Sequence, residues 1–311
     1  MFPPSTCRLS PVTTPFLIIA GPTAVGKSAV AVAVAEQCGG EIVGADAFQI
    51  YRGLDLLTAQ PAANLRARVP HHLIGEIPVA QSFDVAQYLT AARRRIVEIH
   101  ERGRVAIVSG GTGLYLRALT RGLADMPGVD AALRTRLESQ PLADLQRQLA
   151  ELDPAGAAQL DLQNPRRVRR AVEVCLLTGR PFSSFRAEWT APPPGICGVV
   201  LTLERPALHA RIERRSEAMF AAGVVEEVRA TATTGPTASQ TLGLREIRAH
   251  LAGQLSRTDC IAALQLATRR YAKRQMTWFR REPVLEVINL DGHMDLRQLA
   301  EKLAQKAGGK R

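Results

Sequence analysis

The chain has 311 residues, 46% hydrophobic and 22% charged, a balance that supports a large buried core and excludes an intrinsically disordered polymer. Its 40 Lys and Arg against 29 Asp and Glu leave a formal charge of +11 and a pI near 10.1, which points to a polyanionic partner, nucleic acid first. No segment reaches the roughly 18 apolar residues of a membrane span, and the five scattered cysteines (Cys7, Cys38, Cys175, Cys197, Cys260) show no C-x-x-C spacing, so membrane, zinc-finger and disulfide-scaffold classes drop out and a reducing cytoplasm is expected.

Met1 to Thr14 has an isolated Arg8 and no apolar signal-peptide run, and reads as a loose tail. Phe16 to Ala20 is a short apolar strand. It runs into Gly21-Pro22-Thr23-Ala24-Val25-Gly26-Lys27-Ser28, a full match to G-x-x-x-x-G-K-[ST], and a helix follows from Lys27 to Cys38. Strand, glycine loop and helix together form a cradle whose backbone N–H groups and helix dipole favour phosphate oxygens. Lys27 supplies an ammonium for the terminal phosphate, and Ser28 a hydroxyl suited to Mg²⁺.

Glu41 to Ala45 is a second strand ending in Asp46, a carboxylate at the end where parallel sheets bind ligands. From position alone Asp46 can be a helix cap, a Mg²⁺ ligand or a general base. Gly53 to Pro61 reads as a turn-rich loop and Pro70 to Ile74 as another short strand. Its adjacent His71 and His72 face opposite ways and lack a third ligand, which argues against a metal site. Ser82 or Asp84 caps a helix running to about Arg102. Val105 to Val108 is a covered strand ending in Ser109-Gly110-Gly111-Thr112-Gly113, where a P-loop ATPase would carry a Walker-B Asp. The glycine turn suggests close approach by a ligand, and phosphate chemistry without ordinary hydrolysis.

From about Asp125 the texture becomes helical, up to the Pro192-Pro193-Pro194-Gly195 linker. Asn164 and Pro165 cap a helix carrying Arg166-Arg167-Val168-Arg169-Arg170, with Arg166, Arg169 and Arg170 on one face, either following a phosphate backbone or simply solvated. Gly198 to Leu203 resumes the sheet. Helices then start at Pro206 and near Gly243, and a long one runs from Arg257 to about Arg281, with Leu264, Ala267, Tyr271 and Trp278 as its expected apolar stripe. Its surface carries two basic lines, Arg269, Lys273 and Arg280 beside Arg270, Arg274 and Arg281, which suit a nucleic-acid backbone. A strand from Val284 to Leu290 and a helix from Leu296 to Leu303 close the chain. The expected fold is α/β, a P-loop core with a mostly parallel sheet covered by helices (residues 1–124 and 197–311) interrupted by an all-helical insertion at 125–196.

Taken together, these motifs resemble the tRNA dimethylallyltransferases over nearly the whole chain. The resemblance rests on the cradle, on Asp46-Ala47-Phe48-Gln49-Ile50-Tyr51-Arg52-Gly53-Leu54-Asp55, on Thr58-Ala59-Gln60-Pro61, and on Val69-Pro70-His71-His72-Leu73. It extends through Gly110 to Tyr115 and Lys273-Arg274-Gln275-Met276-Thr277-Trp278-Phe279-Arg280. What it implies is transfer of a dimethylallyl group from its diphosphate to N6 of adenosine 37 in the tRNA anticodon arm. The cradle at Gly21, Pro22, Thr23, Ala24, Val25, Gly26, Lys27 and Ser28 then holds a diphosphate where other P-loop proteins bind ATP, and Mg²⁺ is the implied cofactor. Asp46 is implied as the base on N6 with Thr112 at the same centre. Asp46, Ala47, Phe48, Gln49, Thr112, Arg134, Arg166 to Arg170 and Lys273 to Arg280 are implied as tRNA contacts. A cytoplasmic, monomeric bacterial form is expected. Ala47, Leu57, Gln60 and Leu244 depart from the family's usual serine, glycine, lysine and tyrosine. The competing readings are a P-loop small-molecule kinase and a tRNA-binding protein that has lost catalysis.

Overall fold

The computed structural model describes residues 12, 14–124, 126–186, 197–231, 233–282, 285–290 and 295–308. The Pro192–Gly195 linker and most of the N-terminal segment lie outside these. Contacts divide the chain into two compact units, residues 121–192 and a larger one built from 12–120 and 193–311. Val12, expected within a loose tail, is 2% exposed and its N–H donates to the Leu119 carbonyl at 2.9 Å, because it is an apolar residue that fills a core position.

The larger unit begins with β1 (Leu17–Ala20), α1 (Lys27–Cys38), β2 (Glu41–Gly44), β3 (Tyr51–Arg52), α2 (Ala63–Arg66), β4 (His71–His72) and β5 (Ile77–Pro78). It continues through α3 (Val85–Glu101), β6 (Ala106–Gly110) and α4 (Gly113–Arg121). The smaller unit holds α5 (Ala131–Glu138), α6 (Leu142–Leu152), α7 (Pro154–Gln159), α8 (Pro165–Thr178) and α9 (Phe182–Arg186). The larger unit resumes with β7 (Cys197–Thr202), α10 (Arg205–Ala221), α11 (Val224–Ala230), α12 (Leu244–Leu251), α13 (Arg257–Phe279), β8 (Glu286–Asn289) and α14 (Leu296–Gly308).

Six strands form one parallel sheet in the order β4-β2-β6-β1-β7-β8. The apolar runs explain it. Strands covered on both faces need no polar alternation, and every residue of β1 and β2 is buried. Ala20 pairs with Gly110 and Gly44 with Ser109, so the carboxyl ends of β1, β2 and β6 finish side by side. The cradle, Asp46 and the glycine turn leave from those three ends, at the edge where open α/β sheets hold ligands. Asp84 caps α3 through a full capping box with Gln87.

Two segments differ from the sequence reading. Tyr51–Arg52 and Ile77–Pro78 pair as a small separate sheet, in stretches too short to show a period. The buried line of α13 is Cys260, Leu264, Thr268, Ala272, Gln275 and Phe279, not the expected stripe, of which Leu264 alone is buried. Thr268 and Gln275 look surface-bound by composition, yet both are buried with their polar groups hydrogen-bonded. That satisfaction is what lets polar groups lie inside.

Candidate active site

The loop between β1 and α1 is held in its cradle shape by backbone geometry. Gly21 sits at φ 149°, and a Cβ there would fall 2.5 Å from the Leu201 carbonyl oxygen; Gly26, at φ 108°, starts α1. Both positions need glycine. Lys27 folds its Nζ onto the Pro22 carbonyl at 2.8 Å. Burial pushes this ammonium down to about 8, against the pull of Asp46 and with a further push from Arg215. Two arginines from α10 reach the same loop, Arg211 donating to the Val25 carbonyl and Arg215 to Thr23 Oγ1, both at 2.8 Å. The sequence reading missed this pair. The available signal was their i, i+4 spacing on the helix that follows the strand beside β1.

Asp46 leaves the end of β2 and its Oδ1 accepts from the Phe48 and Gln49 amides at 3.0 and 3.4 Å, so one carboxylate oxygen does cap a turn. Its charge also acts on Lys27 and Arg215, which puts it in electrostatic reach of the cradle. Thr112 ties the two turns together: its Oγ1 accepts from the Ala47 amide at 2.9 Å and its N–H donates to the Ala45 carbonyl at 3.1 Å. The glycines of this turn make room for the protein's own close packing. A Cβ on Gly110 would lie 2.1 Å from the Ala45 oxygen, on Gly111 2.2 Å from Gln275 Nε2, and on Gly113 2.2 Å from the Trp278 ring. Gln49 spends its amide on the Thr58 and Ala59 carbonyls, while Phe48 lies 6.4 Å from the Tyr271 ring.

Helix α13 backs this assembly. Lys273, Arg274, Thr277 and Arg280 are exposed, Met276 and Trp278 half-buried, and Gln275 and Phe279 buried. Trp278 lies under the Arg117 guanidinium at 4.9 Å and meets Phe279 edge-on at 5.3 Å. Of the two basic lines, Arg269 is engaged with Glu213 at 2.9 Å. His71 and His72 are also committed locally, to the Val69 carbonyl and to Glu41 at 2.8 and 2.7 Å. Among the described residues no cluster of three or more His, Cys, Asp or Glu could hold a metal.

A family model described as IPP transferase matches residues 49–282. The tRNA dimethylallyltransferase of Akkermansia muciniphila is 44% identical over 94% of this chain and 99% of its own length, and that of Geobacter metallireducens 45% identical over 91% and 94%. The crystal structure of the full-length tRNA isopentenylpyrophosphate transferase of Bacillus halodurans superposes with a TM-score of 0.69 at 34% identity, covering 95% of this chain and 97% of that one. The chain belongs to the IPP transferase family.

The four positions Ala47, Leu57, Gln60 and Leu244 each have a definite physical setting. Leu57 is 5% exposed, and a Cβ at Gly243 would approach its Cδ1 to 3.0 Å. Leu244 is 1% exposed, so the side chain at that position is core. Gln60 donates to the Gln49 and Tyr51 carbonyls at 3.1 and 2.9 Å and braces the loop before the second sheet. Ala47 leaves its N–H to Thr112, as above.

In the smaller unit the arginine run is more engaged than its composition suggested. Glu173, 1% exposed, takes both Arg170 at 2.8 Å and Arg134 at 3.0 Å. Arg169 meets Glu138 at 3.5 Å, Arg167 approaches Asp161 at 3.9 Å, and Val168 is core. Three of the four arginines are paired, by Asp161 of the α7–α8 connection, Glu138 of α5 and Glu173 of α8 itself. Arg166 is exposed with no ion-pair partner among the described residues.

Proposed function

We propose that the protein transfers a dimethylallyl group from dimethylallyl diphosphate to N6 of adenosine 37 in the anticodon arm of tRNA, releasing diphosphate. The observation that carries this reading is the meeting of an anion cradle with a carboxylate turn: Lys27, Arg211 and Arg215 gather at the loop after β1, and Asp46 follows β2, which ends at the same edge of the sheet. The relatives named tRNA dimethylallyltransferase supply the substrates.

An adenine amine is a weak nucleophile, so the leaving group must do much of the work. As the allylic C–O bond breaks, its electron pair passes to the diphosphate. Lys27, the loop amides and the α1 N-terminus stabilise that charge where it develops. The N6 lone pair forms the new C–N bond and the N6 proton passes to Asp46, a general-base contribution of roughly 10²- to 10⁴-fold. Ser28, half-buried in the first turn of α1, would hold Mg²⁺ with the diphosphate oxygens, a donor set that fits an ion content with phosphate and water. When bound, Mg²⁺ supplies further neutralisation of the leaving group. The adenine must leave its stack to reach Asp46. The exposed Lys273, Arg274 and Arg280 are suited to phosphates of the arm.

Incubation with dimethylallyl diphosphate, Mg²⁺ and unmodified tRNA, followed by mass analysis of the nucleosides, tests the reading. The modified adenosine is expected. ATP turnover instead would favour a kinase, a reading opposed by the end of β6, where Ser109-Gly110 stands in place of a Walker-B carboxylate. Binding of tRNA without transfer would favour loss of catalysis.

A further inference from the structure

We propose that Gln275 is a positioning residue that sets the distance between the donor half and the acceptor half of the site, and that it works from inside the protein without touching nucleic acid. The inference rests on the prenyl-transfer reading for the identity of the reaction.

Gln275 is 5% exposed, in the middle of a helix segment whose other face is basic. Its amide spans two loops. Oε1 accepts from the Thr23 N–H of the cradle at 2.8 Å, and Nε2 donates to the Gly111 carbonyl at 2.9 Å. Gly111 precedes Thr112, which holds the Ala45 carbonyl and the Ala47 amide on either side of Asp46. Hydrogen bonds, joined by the Gly111–Thr112 peptide, therefore connect the phosphate loop through one side chain to the turn carrying the carboxylate. The Thr23 N–H aims at Gln275, and its hydroxyl is taken by Arg215, so this residue of the cradle is committed to holding shape.

The chemistry of the bridge is directional. One end must accept from an amide and the other must donate to a carbonyl, a few ångströms apart. Only a primary amide of this length does both: glutamate would set an oxygen against the Gly111 carbonyl, leucine would leave two buried backbone groups unpaired, and asparagine is one methylene short. Gly111 is glycine for the same reason, since a Cβ there would fall 2.2 Å from Nε2. A shift of about 1 Å between bound reactants can cost 10²-fold in rate, so a residue fixing this spacing acts on the chemical step.

The experiment compares wild type with Gln275→Glu, Gln275→Leu and Gln275→Asn. Single-turnover transfer is read at saturating substrates, tRNA affinity by filter binding, and inorganic diphosphate binding by calorimetry. Transfer at least tenfold slower is expected, with both affinities within about threefold of wild type, because each half survives and only their separation is lost. Loss of tRNA affinity in proportion to transfer would overturn the proposal, as would wild-type transfer in all three variants. Amide exchange gives a readout independent of activity. Peptides covering residues 21–28 and 109–115 should both exchange faster in Gln275→Leu, while a peptide covering α8 should not. Unchanged exchange in those two segments also overturns it, even if the reaction proves to be another.

Discussion

At Asp46 the structure sharpens a choice that position alone leaves open. One oxygen of the carboxylate caps a turn, but the charge also reaches Lys27 and Arg215, which no cap requires. Asp46→Asn separates the roles. A cap tolerates Asn, and a Mg²⁺ ligand is partly rescued by raised Mg²⁺. A base acting on N6 loses roughly 10²-fold or more at saturating Mg²⁺, with tRNA affinity kept, and this last outcome is expected from single-turnover transfer across a Mg²⁺ series. Lys27 gives a second prediction. Burial holds its ammonium at about 8 in the free protein. Because this lies below the unfolded value, folding grows more favourable as pH rises from there toward the ordinary lysine range, while donor binding, which needs the charge, weakens. The kcat/KM for dimethylallyl diphosphate should therefore fall above about pH 8, and Lys27→Arg should move that limb out of the measurable range; a flat profile to pH 9.5 in wild type would contradict it.

At the scale of elements, the sequence revealed what periodicity and punctuation encode. The apolar runs marked β1, β2, β6 and β7, and the pairs Asp84 with Gln87 and Asn164 with Pro165 marked the starts of α3 and α8. What stayed hidden depends on contacts between distant segments. Gln275 falls in the stretch that the resemblance implied as tRNA contact, and its burial follows from two backbone groups far away in sequence. Arg211 and Arg215 carried no motif, and the acids that meet Arg134 and Arg169 lie on other helices, while Glu173, one turn along α8, takes Arg170 as well. Charge counting therefore overstates how many of these arginines are uncommitted. The salt dependence of tRNA binding should reveal the difference. Arg166→Ala, an exposed cation without an ion-pair partner among the described residues, should reduce the slope of log K against log salt by about one if it meets a phosphate. Arg170→Ala removes a cation already balanced by Glu173, and should change stability more than the slope. Equal slopes for Arg166→Ala and wild type would assign Arg166 to solvent.

For the whole molecule, the chemistry-bearing loops and the arginine helix α8 belong to different compact units, each with a core of its own. The cradle packs on the sheet through Val25, Val30 and Leu201, whereas α8 buries Val168, Ala171 and Val172 against α5, α6 and α7. No residue is shared between those cores, and additivity is the rule for sites without common partners. Lys27→Ala removes a charge at the cradle and leaves the surface of α8 and the outer face of α13 untouched. Transfer should fall to background, since the leaving group loses its principal cation, while tRNA affinity stays within about twofold in a filter-binding titration at fixed salt. A kinase would lose ATP binding in the same variant, so the titration is paired with ATP competition against dimethylallyl diphosphate in wild type. Inhibition by micromolar ATP would return the cradle to nucleotide chemistry. Parallel loss of transfer and tRNA affinity in Lys27→Ala would show instead that donor and nucleic acid are held by one coupled surface.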